Sequence, residues 1–203
     1  MVIVETKRDR RAERRESTTS EILTAAWELA GTQGLAGLSL RELAQKIGMR
    51  PPSLYWYFDS KNAIYDAMFL QGNRQLLARM AEVDWPSDAK GILRVCARSF
   101  VEFCVEDSRR FQLLFQRTIP GFEPSPEAYA VAVEVVEQMR ARLAAAGLHD
   151  PAAFDMLTAL VSGIAAQQIA NEPGGDRWVR LIDEMIDLCA DHFISKEANR
   201  EKA

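Results

Sequence analysis

The stretch from Tyr55 to Phe58 places aromatic rings on consecutive residues, inside the sequence RPPSLYWYFDSK. A helix that packs on a core places its large apolar groups three or four residues apart, so only some of these rings can face inward. Leu54 and Phe58 are four residues apart and suit a core, whereas Tyr55, Trp56 and Tyr57 distribute around the other faces, where one of the three can still pack against the first helix. Exposed aromatic rings beside arginine and lysine are typical of contacts with a sugar-phosphate backbone and with base edges. We therefore expect these rings to contact DNA.

Two short helices are needed to position the rings. Ser39 lies three residues before Glu42, which is the spacing of a capping box, and Gly48 follows as a stop signal. A third helix is expected to begin near Pro52. Proline has no backbone N–H, and the N–H of the first helical residue makes no hydrogen bond within the helix, so proline is tolerated there. The linker after Gly48 has about the length of a helix-turn-helix turn. We predict a helix-turn-helix over about residues 40–59.

The net charge of −4 is unevenly distributed along the chain. Residues 1–61 contain ten Lys/Arg and eight Asp/Glu, a net charge of +2, whereas residues 62–203 contain fifteen and twenty-one, a net charge of −6. Six of the basic residues lie in the segment KRDRRAERR, from Lys7 to Arg15. Such a run is either a solvated, disordered tail or an arm that binds phosphate groups. We expect residues 1–16 to form a basic flexible arm.

Helical periodicity runs through nearly the whole chain, without strand-like alternation or an internal repeat. Caps and breakers divide it into about nine helices, so we predict an all-α protein. The first helix is expected to begin at Thr18, which has capping-box spacing to Glu21, and to end at Gly31–Gly34. The fourth should begin near Ser60. Later helices are expected at about 88–105, 108–117, 126–146, 151–171 and 176–195.

An enzyme and a pure adaptor protein are the competing classes. The two histidines, His149 and His192, have no partner at metal-ligand spacing, and no phosphate-binding glycine loop or nucleophile motif is present. We therefore expect no catalytic residue, no metal and no cofactor. A three-helix subdomain that has an aromatic surface but no nucleic-acid partner is a further alternative. A gel shift with DNA would separate these classes.

Cysteine usage and hydropathy bear on the compartment. Cys96, Cys104 and Cys189 show no redox or metal spacing, and an odd count without a signal peptide argues for reduced thiols. The N-terminus becomes charged at once, and no apolar run approaches the roughly 20 residues needed to cross a bilayer. We expect a cytoplasmic protein with no membrane partner.

The run from Leu40 to Met68, LRELAQKIGMRPPSLYWYFDSKNAIYDAM, resembles the DNA-binding signature of the TetR family of bacterial transcriptional regulators. The resemblance is specific from about Thr18 to Met68, and beyond that it consists of helix count and layout. It implies an N-terminal three-helix domain with a helix-turn-helix, joined to a C-terminal bundle of about six helices. A DNA-binding domain would occupy residues 17–62, and a ligand-binding and dimerisation domain would occupy residues 63–203.

The resemblance also implies roles for individual residues. Arg41 matches a contact to a base or phosphate, and Lys61 matches a phosphate contact. The residues that would contact DNA are Arg41, Arg50, Pro51, Pro52, Ser53, Tyr55, Trp56, Tyr57 and Lys61. Tyr57 stands where the family often has histidine. Pro51 stands where a well-known member has a hydrogen-bonding side chain, so that member's operator code does not transfer.

The function implied by the resemblance is a ligand-responsive repressor that a small molecule releases from a palindromic operator. An activator or a ligand-independent regulator remains the alternative. The ligand pocket would be formed by Phe100, Phe103, Phe111, Phe115, Gln116, Met139 and Gln167, with core packing as the alternative for each ring.

The last two helices are apolar on more than one face, so they must bury two surfaces. One surface can be the chain's own core and the other a second copy, as the resemblance also implies. Gly163 and Ala166 would allow close helix approach. The predicted homodimer contacts are Leu160, Ile164, Ile182 and Met185.

Overall fold

A computed structural model describes the backbone of residues 2–200 and the side chains of residues 10–196. Its described residues form helices and contain no strand, which confirms the all-α prediction. The helices are α1 Val2–Gln33, α2 Leu40–Lys46, α3 Pro51–Leu54, α4 Lys61–Glu82, α5 Ala89–Glu106, α6 Ser108–Phe115, α7 Pro126–Ala145, α8 Pro151–Asn171 and α9 Ile182–Arg200. A short 3-10 turn, Val179–Leu181, precedes α9.

Helix α1 begins at Val2, so the predicted start at Thr18 is wrong. The Thr18 hydroxyl donates to the Arg14 carbonyl at 2.9 Å, and the Thr19 hydroxyl donates to the Arg15 carbonyl at 2.8 Å. Both threonines therefore lie within a continuous helix and do not cap its end. Residues 2–16, predicted to form a basic flexible arm, are helical. Arginine and glutamate, which make up more than half of this segment, are good helix formers, and the charge run concealed that propensity.

Several predicted helix starts agree with the capping geometry. The Ser39 hydroxyl accepts the backbone N–H of Glu42 at 3.5 Å at the start of α2. Asp150 caps α8 in the same way, accepting the N–H of Ala152 at 3.1 Å, with Pro151 as the first helical residue. Gly48 has a φ of +67°, a left-handed conformation that glycine adopts without steric cost, and α2 ends there as predicted.

The first compact unit comprises Met1–Gln71 and Gln112–Ala128. It extends beyond the predicted domain at 17–62 because long-range contacts join these segments. The indole of Trp27 donates to the side chain of Gln71 at 2.8 Å. The carboxylate of Asp66 accepts the backbone N–H of Ser125 at 2.6 Å and its hydroxyl at 2.9 Å. The buried hydroxyl of Tyr65 donates to the Leu35 carbonyl, and burial raises the pKa of Tyr65 to about 12.

The second compact unit comprises Gly72–Phe111 and Tyr129–Ala203. Helix α5 packs against both α8 and α9 within it. Basic residues spaced four apart on α5 form a ladder of ion pairs with aspartates spaced four apart on α9. The pairs run in reverse sequence order, so the first basic residue meets the last aspartate. The pairs of this ladder are Lys90 with Asp191 at 2.9 Å, Arg94 Nε with Asp187 at 2.6 Å, and Arg98 Nε with Asp183 at 2.7 Å.

The ladder predicts a stability that decreases in acid. The hydrogen bond from Arg94 holds the pKa of Asp187 below its usual value. A depressed pKa stabilises the folded state above the unfolded pKa of about 3.9, and this contribution is lost as the pH falls through the folded pKa. We expect Asp187→Asn to lower the melting temperature at pH 7 and to have a progressively smaller effect as the pH falls below about 3.9. Melting curves across this range test it, and a difference that persists at low pH would contradict the assignment.

Helix α8 is more apolar than expected. Over an 18-residue window its mean hydropathy is 1.2, and among the described residues it is the one helix whose length and composition would allow it to cross a bilayer. The sequence-based expectation that no segment approaches this threshold was too strict. One face of α8 is buried within the second unit through residues such as Leu157, Val161 and Ala165. Core helices of helical bundles meet the same criterion.

Candidate nucleic-acid interface

The aromatic residues of the α3 segment divide between core and solvent as their spacing predicts. Leu54 and Phe58 are 1% and 8% exposed, so they anchor the segment in the core of the first unit. Tyr55 and Trp56 are 53% and 80% exposed. A large exposed ring on a short helix contributes little to folding, because it removes almost no apolar surface from water. Two adjacent exposed rings therefore indicate a surface that contacts another molecule.

The turn between α2 and α3 orients these rings. The backbone N–H of Met49 donates to the Ala44 carbonyl at 2.8 Å, which closes the turn after Gly48. Arg50 is extended, with φ −77° and ψ 140°, as expected for a residue that precedes proline. Helix α3 begins at Pro51, one residue before the predicted start. Because α3 is only four residues long, burial of Leu54 and Phe58 must hold it in place.

Most of the predicted DNA contacts are exposed to solvent. The exposed ones are Arg41, Arg50, Pro51, Pro52, Ser53, Tyr55 and Trp56. Tyr57 is half-buried, and the guanidinium carbon of Arg15 lies 5.5 Å from the centre of its ring. Lys61 donates to the Ala36 carbonyl at 2.7 Å. Its ammonium has two further N–H donors, so the lysine both packs the unit and retains the capacity to bind a phosphate.

The structure adds residues that sequence reasoning did not assign to the site. A groove of about 910 Å³, here called the arginine groove, lies between the N-terminal part of α1 and the α3 segment. It is lined by Arg11, Arg14, Arg15, Ser17, Thr18, Gly48, Met49, Arg50, Ser53, Trp56 and Tyr57. The arginine spacing in the KRDRRAERR run could have indicated this face, but only once the run was known to be helical.

The residues of the predicted ligand pocket differ in their exposure. Phe103, Phe111 and Met139 are buried. Gln167 is exposed, and its side chain accepts a hydrogen bond from Asn171 at 2.6 Å. Two of the remaining predicted residues, Phe115 and Gln116, belong to the first unit, and the third, Phe100, belongs to the second. Aromatic spacing alone did not distinguish core rings from pocket rings.

The second unit contains a different groove of about 750 Å³, here called the charged groove, between α4 and α5. Arg79 donates there to Glu106 at 2.6 Å and to Glu102 at 3.0 Å. The guanidinium carbon of Arg110 lies 3.6 Å from the centre of the Phe103 ring, and burial lowers the pKa of Arg110. This groove combines charged groups of both signs with one aromatic ring. Phe103 is the one predicted pocket residue among the described residues that line it.

The predicted dimer contacts require a correction. Ile164 and Ile182 are 3% and 2% exposed, because they pack in the core of their own chain and have no surface left for a partner. Leu160 and Met185 are half-buried and remain candidates. Other apolar residues of α8 and α9 lie outside, including Leu188, which is 71% exposed. A side chain added at Gly163 would meet no atom within 4 Å, so the outer face of α8 is open there.

Comparison with known proteins agrees with this geometry. The family model for the tetR family of bacterial regulatory proteins matches residues 22–68. The chain is 37% identical over 82 residues to the class D tetracycline repressor of Escherichia coli, covering 39% of this chain and 36% of that protein. The match therefore spans about a third of that relative's length.

Two solved structures share the fold over most of the chain. A tetR-family regulatory protein from Rhodococcus RHA1 has a TM-score of 0.64 at 19% identity and covers 86% of this chain and 96% of its own. FadR from Bacillus subtilis, solved in complex with stearoyl-CoA, has a TM-score of 0.65 at 16% identity and covers 84% and 97%. At these identities the similarity establishes the fold alone. Residues 22–68, which contain α2, α3 and the exposed rings, are therefore similar in sequence to the tetR family of bacterial regulatory proteins.

Proposed function

We propose that the protein is a DNA-binding transcriptional regulator, and specifically a repressor that a small molecule releases from its operator. The observation that carries the proposal is the exposure of Tyr55 and Trp56 on a helix-turn-helix whose outer side also presents Arg41, Arg50 and Ser53. A helix-turn-helix reads base edges with the start of its second helix while neighbouring side chains hold the phosphates. Because the proposed target is the cell's own DNA, a cytoplasmic location is part of the proposal.

The operator is proposed to be palindromic because the protein is proposed to act as a homodimer. Helix α8 is strongly apolar, yet only 33% of its most apolar window is buried in the single chain. An apolar face of this kind suits a second copy of the same surface, which two-fold symmetry supplies. Gly163 on α8 and Leu188 on α9 lie on the open faces that such an interface would use. Two reading helices related by this symmetry would enter successive major grooves.

An effector is proposed to bind in the second unit. The charged groove there has the arginines, glutamates and aromatic ring to hold a molecule with both an ionised group and an apolar part. FadR, which has a similar fold, was solved with such a molecule, stearoyl-CoA. To act as an inducer, the effector must bind the DNA-free conformation more tightly than the DNA-bound one, because equal affinity shifts no equilibrium.

Selection from a pool of random duplexes tests the function directly. We expect the purified protein to enrich a palindrome whose half-site centres are about 34–36 Å apart, the spacing of one helical turn. Compounds found by thermal shift should then weaken binding to the selected duplex by about 5- to 150-fold, the usual range of allosteric coupling. Failure to enrich any sequence would contradict the regulator. If the protein enriches a sequence but no stabilising compound weakens its binding to that duplex, a ligand-independent regulator would be favoured instead.

A further inference from the structure

We propose that the arginine groove is a second DNA-binding element, which holds the phosphate backbone of one strand between α1 and the reading helix. This inference rests on the proposed function and extends it to a part of the chain outside the helix-turn-helix. The N-terminal extension of α1, rather than the helix-turn-helix alone, would then supply much of the affinity that does not depend on base sequence.

The composition of the groove supports a polyanion as its ligand. Its described lining contains four arginines, Arg11, Arg14, Arg15 and Arg50, and no carboxylate. The chain as a whole has a net charge of −4, so this concentration of positive charge contrasts with the rest of the molecule. Trp56, which is 80% exposed, also lines the groove. Arginines interleaved with an aromatic ring are typical of surfaces that bind nucleic acids.

The helical conformation of residues 10–18 separates the charges that the sequence mixes. At about 100° per residue, Arg11, Arg14 and Arg15 fall on one face of α1, whereas Glu13 and Glu16 fall on the opposite face. The groove lining agrees with this calculation, since it contains the three arginines and neither glutamate. A disordered tail of the same sequence would bring its carboxylates as close to a phosphate as its arginines. The folded helix presents cations alone.

The groove is also built into the reading element. Arg15 lies over the ring of Tyr57 with its guanidinium carbon 5.5 Å from the ring centre, which ties α1 to the end of the α3 segment. Arg50 and Ser53, at the start of α3, line the opposite wall. A phosphate held in the groove would therefore lie directly beside the bases that α3 contacts. Because phosphate contacts set the register of a protein on DNA, the groove would orient the reading helix as well as add affinity.

The test measures binding to a duplex of random sequence as a function of KCl concentration. Single substitutions Arg11→Gln and Arg14→Gln are compared with Arg10→Gln, which removes the same charge from the same helix but lies outside the groove lining. Glutamine is as good a helix former as arginine, so α1 should persist, and circular dichroism checks this. Each groove variant should bind about tenfold more weakly at low salt, and its log–log salt dependence should be less steep by about one. Arg10→Gln should remain close to the unmodified protein.

The outcomes separate the groove from the proposed function. Equal effects of all three substitutions would show a long-range effect of net charge and would overturn the groove. No effect of Arg11→Gln or Arg14→Gln, in a protein that still binds the duplex, would overturn the groove and leave the regulator intact. If the unmodified protein binds neither random nor selected duplexes at low salt, the regulator fails and the groove with it.

Discussion

Replacing Tyr55 and Trp56 together by alanine is expected to weaken binding to the selected operator on the order of a hundredfold or more. Each lost contact from a reading helix is worth about 1–3 kcal/mol, and about 1.4 kcal/mol corresponds to a factor of ten. The protein should stay folded, because the two side chains are 53% and 80% exposed and pack little apolar surface. Operator titrations by fluorescence anisotropy measure the loss, and thermal melts measure the folding.

Tyr129→Ala provides the matched control for this experiment. Tyr129 is 56% exposed, close to the 53% of Tyr55, but it lies on α7 in the second unit. The control should keep its operator affinity, provided that sedimentation shows an unchanged assembly. Equal affinities for the double variant and the control would remove the observation on which the proposed function rests. A double variant that lost affinity only because it unfolded would be recognised from its melting curve.

The second large effect is expected in the core of the second unit. Ile182→Asp should destabilise the protein strongly, since an uncompensated buried charge costs about 3–5 kcal/mol and whole domains are stable by only about 5–15 kcal/mol. Ile182 is 2% exposed, so no solvent is available to hydrate the carboxylate. Ile182→Val, which removes one methylene, should cost only about 0.5–1.5 kcal/mol. Urea unfolding followed by circular dichroism measures both changes.

Leu188→Asp on the same helix should behave differently. Leu188 is 71% exposed in the single chain, so the substitution should leave the fold intact and weaken the proposed homodimer. Sedimentation velocity at several concentrations should therefore show a folded monomer. A folded Leu188→Asp protein that remains a tight dimer would place the interface elsewhere. An Ile182→Asp protein that became monomeric without losing unfolding free energy would contradict the burial of Ile182 and restore it as a dimer contact.

Local chemistry explains why much of the helix layout was predictable from the sequence. Capping by Ser39 and Asp150 depends on residues within one helical turn, so the donor and the acceptor lie close together in the sequence. The same holds for Gly48, whose left-handed backbone suits glycine. The division of the aromatic run into buried Phe58 and exposed Trp56 followed from helical spacing alone. Each of these predictions compares residues only a few positions apart.

Predictions failed where two local signals competed, and where the choice depended on residues far apart in the chain. Thr18 has the spacing of a cap, yet α1 continues through it, because good helix formers precede it and nothing stops the helix there. Ile164 and Ile182 lie on helices with apolar residues on several faces, and periodicity could not tell which face the chain itself would cover. The predicted pocket residues of the second unit presented the same ambiguity, since Phe103, Phe111 and Met139 are all buried and spacing alone does not separate core residues from pocket residues.

The sequence by itself determined the helices, their caps, the helix-turn-helix and which rings it exposes, since those depend on backbone geometry and on spacing along one helix. The tertiary structure alone decided which residues distant in the sequence contact one another. It set Asp66 against Ser125, aligned Arg94 with Asp187, and brought the arginines of α1 beside Trp56 to form a groove. Burial is a property of the whole packed chain, so a pattern can show that a face is apolar or basic but not which surface will meet it.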